Sequence, residues 1–291
     1  MPELPEVETV RRGLSSATLG GVITATEVLL ERSIAHPDAA HFITSLVGKS
    51  IKSWHRRGKY LLASLQIGNT AANQPDAPGG TLGVHLRMTG QLLWLSQTEP
   101  LQKHTRVRLF FPQNQELRFV DQRTFGKMWW VPPEVAPETI ITGLQQLGPE
   151  PLEPDFSPES LGAKLHRCRR PIKTALLDQT FIAGIGNIYA DEALFLSRVA
   201  PTKLAGDLTP EEIRRLHSSI VEVLHQAIAH GGTTFSDFLN LHGVNGNYGG
   251  VAWVYQRTGQ PCRVCGTPIE RRKLAGRSTH FCPHCQETRV M

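Results

Sequence analysis

Two Cys-x2-Cys knuckles, Cys262/Cys265 and Cys282/Cys285, stand sixteen residues apart near the end of this chain, and they constrain its fold more than any other feature. Each knuckle offers two thiolates to one side of a tetrahedron. A Zn²⁺ ion shared by both closes the intervening loop, so Pro268 to Phe281 reads as the β-hairpin of a zinc ribbon or finger. Four cysteines saturate the metal and leave no position for water, which makes the expected zinc a single structural ion. His280 and His284 lie nearby as alternative ligands. A pair of redox dithiols is the competing reading, but no thioredoxin-like pattern surrounds either knuckle. The fifth cysteine, Cys168, reads as a small buried thiol.

An odd cysteine count with four of five clustered argues for metal binding in a reducing compartment rather than disulfides. No apolar run approaches membrane-span length, and the N-terminus has no signal-peptide apolar region. The expected location is therefore the cytoplasm, nucleoid-associated, or an equivalent reducing compartment, with no membrane partner.

Charge points to the partner. Lys and Arg number 31 against 26 Asp and Glu, a formal net charge of +5. The excess is clustered: 52–59 holds four bases and His55, and 164–173 holds five bases and His166, neither with an acid. Residues 262–291 add six bases against two acids. Clustered cations on a zinc-stiffened hairpin suit a nucleic-acid groove.

The chain divides by periodicity. After an opening helix, residues to about 131 read as short β-prone runs parted by turn residues, from Val22-Ile23 and Val28-Leu30 to Met128-Val131, hence a β-sandwich or barrel. Gly68 to Gly80 has turn chemistry and reads as an exposed, disordered insertion. A proline-rich linker covers 132–156, with a short helix at Ile140 to Leu147. Helical spacing then prevails: Ser157-Pro158 opens one helix, and Thr209-Pro210-Glu211-Glu212 is a capping box that opens another, ended at His230-Gly231-Gly232. The expected fold is α+β and multidomain: an N-terminal sandwich with a flanking helix (1–131), a helical domain (157–250) and a four-cysteine finger (251–291).

The first eight residues, MPELPEVE, carry candidate chemistry. Removal of Met1 leaves Pro2 as a secondary amine with the pKa of an α-amino group, roughly 8, and therefore a nucleophile near neutral pH. Glu3 beside it is a candidate general acid. The same residues also make a helix start, with Pro5 at the first helical position and carboxylates at the positive end of the dipole. The two readings are compatible, since such a helix fixes the terminus in place.

Taken together, PELPEVE, Arg57-Gly58-Lys59-Tyr60-Leu61-Leu62, His85-Leu86-Arg87-Met88-Thr89-Gly90, Asp121-Gln122-Arg123-Thr124-Phe125-Gly126, Gly184-Ile185-Gly186-Asn187-Ile188-Tyr189 and the four-cysteine finger closely resemble formamidopyrimidine-DNA glycosylase. The resemblance runs in order along nearly the whole chain. It implies a base-excision repair enzyme that removes oxidised purines (8-oxoguanine and formamidopyrimidines) from double-stranded DNA and nicks the abasic site by β,δ-elimination. It also implies a sandwich, a helix-two-turn-helix domain and a zinc finger, with DNA held between domains by a monomer.

By the resemblance, Pro2 attacks C1′ of the damaged nucleotide to form an iminium, Glu3 supplies a proton, Lys59 serves β-elimination and a phosphate, and Arg277 grips phosphates and serves δ-elimination. Met88, Arg123 and Phe125 match the wedge that fills the space left by the flipped base. Read without the resemblance, Met88 and Phe125 are strand core residues. His85, His104, Lys173 and Asn187 match DNA-backbone contacts. The family's basic contact near Cys168 is absent, so the Cys168 backbone, or Arg167 and Arg169, takes that place. Gln122 and Thr124 depart from the commonest wedge-loop sequence. Residues 239–250 fall where the family closes a loop over the flipped base, and their glycines suit a mobile lid. Two alternatives remain: an endonuclease VIII-like glycosylase for oxidised pyrimidines, disfavoured by Leu4 and Phe125, and a catalytically silent DNA-binding relative.

Overall fold

In the computed structural model, which describes residues 1–67, 77–233, 241 and 246–287, the opening helix α1 spans Leu4–Thr18, one residue earlier than Pro5 predicts. Its buried face, Val7, Val10 and Leu14, repeats at helical spacing and enters the core of the first of two units. That unit comprises Met1–Gln145 and Gly231–Gly246, and the second comprises Gln146–His230 and Asn247–Met291.

The first unit is the sandwich. Its strands are β1 (Ala25–Val28), β2 (Ile34–His36), β3 (Lys49–Arg57), β4 (Tyr60–Ile67), β5 (Ala77–His85), β6 (Gly90–Ser96), β7 (Thr105–Phe111), β8 (Gln115–Asp121) and β9 (Lys127–Val131). A four-stranded sheet runs β1-β7-β8-β6 and a five-stranded sheet runs β2-β9-β5-β4-β3. Leu61, Ala63, Leu82 and Val84 of one sheet and Leu92, Val107, Leu109, Leu117 and Phe119 of the other share one core with α1. Each fully buried aliphatic side chain contributes roughly 1.5–3 kcal/mol there.

Several local expectations are corrected. Val22-Ile23 forms no strand; Val22 makes only an isolated bridge to Ser50. Ala77–Gly80, read as part of the insertion, belongs to β5, while 68–76 lies outside the described residues. Helix α2 (Ala39–Leu46), capped by Asp38 on His41 N–H at 3.0 Å, was not anticipated. The helix expected at Ile140 to Leu147 is a shorter α3, Pro137–Ile140, followed by a 3-10 turn at Thr142–Leu144. The segment that begins at Gly231 groups with the sandwich because Thr233 bonds Glu6 and Leu241 joins the core.

Among the connections between the five-stranded and four-stranded sheets, two crossovers are paired at both ends. The β5–β6 loop and the β8–β9 loop both pass from one sheet to the other, with His85 paired to Lys127 at one end and Gly90 paired to Asp121 at the other.

The second unit holds α4 (Pro158–Leu165), α5 (Ile172–Leu176), α6 (Asn187–Leu196), α7 (Pro210–Ala229) and the hairpin β10–β11 (Glu270–Leu274, Arg277–Phe281). The predicted capping box opens α7: Thr209 Oγ1 accepts from Glu212 N–H at 3.2 Å, and Glu212 Oε2 accepts from Thr209 N–H at 2.8 Å. Leu216, Ile220, Val223, Leu224 and Ala227 form its buried face, as the periodicity predicts. Glu192 of α6 is fully buried, and its carboxylate gathers the backbone N–H groups of Trp253, Val254 and Tyr255 at 2.7–2.9 Å. Those bonds fix the chain leading to the cysteine hairpin.

Candidate active site and zinc hairpin

Pro2 and Glu3 are buried, Glu3 with only 3% of its surface exposed. The first turn of α1 holds them there. Glu3 N–H donates to Glu6 Oε2 at 2.8 Å, and the other oxygen of Glu6 accepts from Thr233 N–H at 2.8 Å and Thr233 Oγ1 at 3.2 Å. Glu6 therefore ties the terminus to the chain that follows α7. One turn on, Glu8 accepts from Arg11 and Arg12 and lies 3.4 Å from Arg56 at the end of β3. Burial pushes the Glu8 carboxyl upward, but the Arg11 and Arg12 guanidiniums hold it below the ordinary carboxylate range.

The β3–β4 turn carries Gly58 at φ +55° and then Lys59, which is 6% exposed. Tyr60 pairs with His85 across the sheet, their rings edge to face at 4.5 Å. Burial, followed by the charges of Arg87 and Lys59, pushes the His85 imidazole down to about 3, so the ring is neutral at physiological pH. His85 Nδ1 accepts from Arg87 N–H at 3.0 Å, which places the ring proton on Nε2.

Met88, Arg123 and Phe125 stand out from the two crossover loops. Met88 is 38% and Phe125 50% exposed, which rules out the core role that strand patterning alone suggests. The Arg123 guanidinium lies over the Phe125 ring at 4.9 Å. His104 is half-buried, its Nδ1 3.2 Å from Arg106 Nη2.

Other expected contacts sit in the second unit. Lys173 is 1% exposed, and its ammonium meets Asp191 Oδ1 at 2.6 Å, Ser278 O at 2.7 Å and Thr279 Oγ1 at 2.9 Å. Asn187, the first residue of α6, donates through Nδ2 to the same Ser278 carbonyl at 3.0 Å, while its buried Oδ1 has no hydrogen-bond partner among the described residues. Cys168 is buried, as predicted, but its N–H donates to Leu165 O and its carbonyl accepts from Gly206 N–H. The phosphate contact expected of its backbone therefore lacks a donor, and the exposed Arg167 and Arg169 remain.

Beyond Ser278 lies the hairpin tip. Ala275 and Gly276 both have positive φ, +45° and +79°, a two-residue turn whose twist matches the strands and for which glycine is suited. Arg277 follows at once and is exposed. The four cysteines meet at the other end. Their Sγ atoms all lie within 4.8 Å of one another, with Cys262–Cys285 at 3.9 Å and Cys265–Cys282 at 3.5 Å. Zinc–sulfur bonds of about 2.3 Å in a tetrahedron place sulfurs about 3.8 Å apart, so the donor set fits that ion. Phe195, Val254 and Ile269 pack against Cys262 and Cys282.

The sequence reading missed Glu6, which holds the terminus, and Asp121, which receives both crossover loops, in the first unit, and Asp191, which neutralises Lys173, in the second. Asp121 opens the Asp-x-Arg-x-Phe-Gly motif, a signal that was available; Asp191 sits mid-helix with none.

A sandwich with a buried Pro-Glu terminus and an exposed Met-Arg-Phe projection, accompanied by a helical unit and a four-cysteine hairpin, defines a DNA glycosylase of the zinc-finger type. Family models for the formamidopyrimidine-DNA glycosylase N-terminal domain, its H2TH domain and the zinc finger found in FPG and IleRS match residues 1–128, 147–238 and 259–288. Proteins named formamidopyrimidine-DNA glycosylase from Nostoc sp. and Trichodesmium erythraeum are each 61% identical, over 98% and 99% of this chain and all of theirs. The chain belongs to the formamidopyrimidine-DNA glycosylase family, which comprises DNA glycosylase/AP lyases.

Solved structures agree in fold. A Lactococcus lactis FPG mutant in complex with a Fapy-dG containing DNA superposes with TM-score 0.87 at 35% identity, covering 99% of this chain and 100% of that one. The MutM (FPG) protein of Thermus thermophilus gives 0.84 at 40% identity, covering 98% of each.

Proposed function

We propose that this chain excises oxidised purines, 8-oxoguanine and formamidopyrimidines, from double-stranded DNA through an iminium formed by Pro2, and then nicks the abasic site by β,δ-elimination. The observation that supports this most directly is the buried terminus, with Glu3 N–H fixed on Glu6 so that Pro2 and Glu3 share one defined position. Once Met1 is removed, the Pro2 nitrogen is a secondary amine. It attacks C1′ as the C1′–base bond breaks, and Glu3 donates a proton as the sugar ring opens. Lys59 and Arg277 then serve the eliminations and the flanking phosphates.

Flipping the base costs a few kcal/mol, and the exposed Met88, Arg123 and Phe125 supply what fills the gap. His85 offers Nε2–H as a neutral donor, and His104, Asn187, Arg167 and Arg169 are the further backbone contacts. One structural zinc on Cys262, Cys265, Cys282 and Cys285 supplies the closure that holds the Arg277 hairpin; it takes no part in bond making. The protein acts as a monomer in the cytoplasm or an equivalent reducing compartment. Among the described residues no helix is long and apolar enough to cross a membrane.

The test is borohydride trapping on a duplex bearing 8-oxoguanine opposite cytosine, with Pro2→Gly and a form retaining Met1 in parallel. A covalent adduct that needs a free Pro2 amine is the expected result. An adduct only with an oxidised pyrimidine would transfer the chain to the endonuclease VIII-like reading, and none with either substrate would make it a binding protein.

A further inference from the structure

The two crossover loops that carry Met88, Arg123 and Phe125 are not independent. Asp121, 1% exposed, ends β8 and sends one carboxylate oxygen to each loop. Oδ1 accepts from Thr89 Oγ1 at 2.6 Å, and Oδ2 accepts from Gly126 N–H at 2.7 Å. Thr89 Oγ1 in turn accepts from Arg123 N–H at 3.0 Å. The hydroxyl is thus a relay, donating to Asp121 and receiving from the backbone of the opposite loop. A side chain at Gly126 would strike Phe119 at 2.5 Å, so the Gly126 N–H reaches Asp121 only because no side chain is present. Arg87 and Thr124, one in each loop, adopt positive φ, +53° and +57°. Non-glycine residues hold that conformation only where their surroundings enforce it. An outer brace adds to the clamp: the Arg32 guanidinium donates to Thr124 Oγ1, and Lys127 Nζ donates to the Arg32 carbonyl.

We propose that Asp121 and Thr89 are positioning residues that lock the Met88 loop and the Arg123–Phe125 loop into one rigid wedge, so that filling the vacated space and reading the opposite base occur as a single event. The inference rests on the proposed glycosylase reading. Without the clamp each loop would order separately on DNA, and that ordering would be paid during the flipping step. Chemistry on a site with no base to expel and no opposite base to read would not depend on it.

The experiment compares wild type, Thr89→Val, Thr89→Ser and Asp121→Asn in single-turnover assays. The substrates are 8-oxoguanine opposite cytosine, 8-oxoguanine opposite adenine, and a preformed abasic site in single-stranded DNA. Asp121→Asn must turn an amide NH₂ toward one of two N–H or O–H donors, and Thr89→Val removes the relay. Both variants should slow excision opposite cytosine by at least about tenfold and narrow the cytosine-over-adenine preference, with single-stranded cleavage falling no more than about twofold. Thr89→Ser, which keeps the hydroxyl, should recover excision to within about threefold of wild type. Unchanged excision and preference in Thr89→Val and Asp121→Asn would overturn the proposal, as would an equal loss on all three substrates, the mark of general unfolding. If wild type itself excises nothing, the glycosylase reading fails, a result distinct from failure of the clamp.

Discussion

Lys173 and Asp191 form a buried ion pair at 2.6 Å, and the same ammonium grips the carbonyl of Ser278, the residue that follows Arg277. Asp191 also accepts from His280 N–H at 2.9 Å, so one carboxylate holds β11 directly at His280 and, through Lys173, at Ser278. Taking away one member of a buried pair leaves the other charge uncompensated and costs about 3–5 kcal/mol. Asp191→Asn should therefore lower the urea midpoint strongly, and adding Lys173→Met should restore part of the loss. Gel analysis of the variants at temperatures where they remain folded should show less δ-elimination product relative to β-elimination product.

The His85 ring gives a pH signature. Its folded pKa is depressed to about 3, while the unfolded chain titrates near 6.5, so the unfolded state binds the extra proton between those values. The stabilisation is fully present above 6.5 and is lost as pH falls toward 3. Denaturant titrations across that window should show wild type losing about 1.4 kcal/mol per pH unit more than His85→Asn. Parallel curves for the two proteins would refute a neutral His85.

Zinc removal should act on the hairpin. Modification of the thiols with a mercurial in the presence of a chromogenic chelator should release one Zn²⁺ per chain, and Cys282→Ser should bind little. Because Cys282 is fully buried against Phe195, Val254 and Ile269, loss of metal should quench the structure around the Phe195–Trp253 stack, whose rings lie 5.7 Å apart. DNA affinity should fall, with a shallower salt dependence as the cations of the hairpin lose register.

Glu6→Gln probes the hold on the terminus. Both carboxylate oxygens accept, one from Glu3 N–H and one from Thr233, so an amide must turn its NH₂ toward a donor. The expected cost is about 1–3 kcal/mol of stability, seen by thermal melting. Borohydride trapping should slow while binding to an abasic-site analogue changes little.

Sequence patterns reported short-range features well. The knuckle spacing located the four sulfurs, and Thr209-Glu212 located the start of α7, because both depend on neighbours a few residues away. Long-range features were hidden. Lys173 lay within a basic cluster and matched a DNA-backbone contact, and nothing local signalled its burial, which depends on Asp191 and on the hairpin more than a hundred residues later. Met88 and Phe125 show the limit of patterning: apolar residues after strands read as core by pattern alone, the resemblance assigned them to the wedge, and both are exposed on the crossover loops. Helix α2 was missed because Asp38 as a cap follows Pro37 and precedes an eight-residue segment too short to display a period. The 239–240 and 242–245 portions of the expected lid lie outside the described residues.

The pairing of His85 with Lys127 and Gly90 with Asp121 fixes how many residues each crossover contains, because both ends of both loops are pinned to strands. Deleting or inserting one residue at 86–89 or 122–126 would leave the strand pairing in place but carry Thr89, Arg123 or Gly126 away from the bonds that tie both loops to Asp121. Chemical identity at a position that bonds through its backbone is far less restricted. Evolutionary drift in these loops should therefore appear as substitution at constant length, as at the exposed Gln122, whereas Thr124 bonds Arg32 through its side chain.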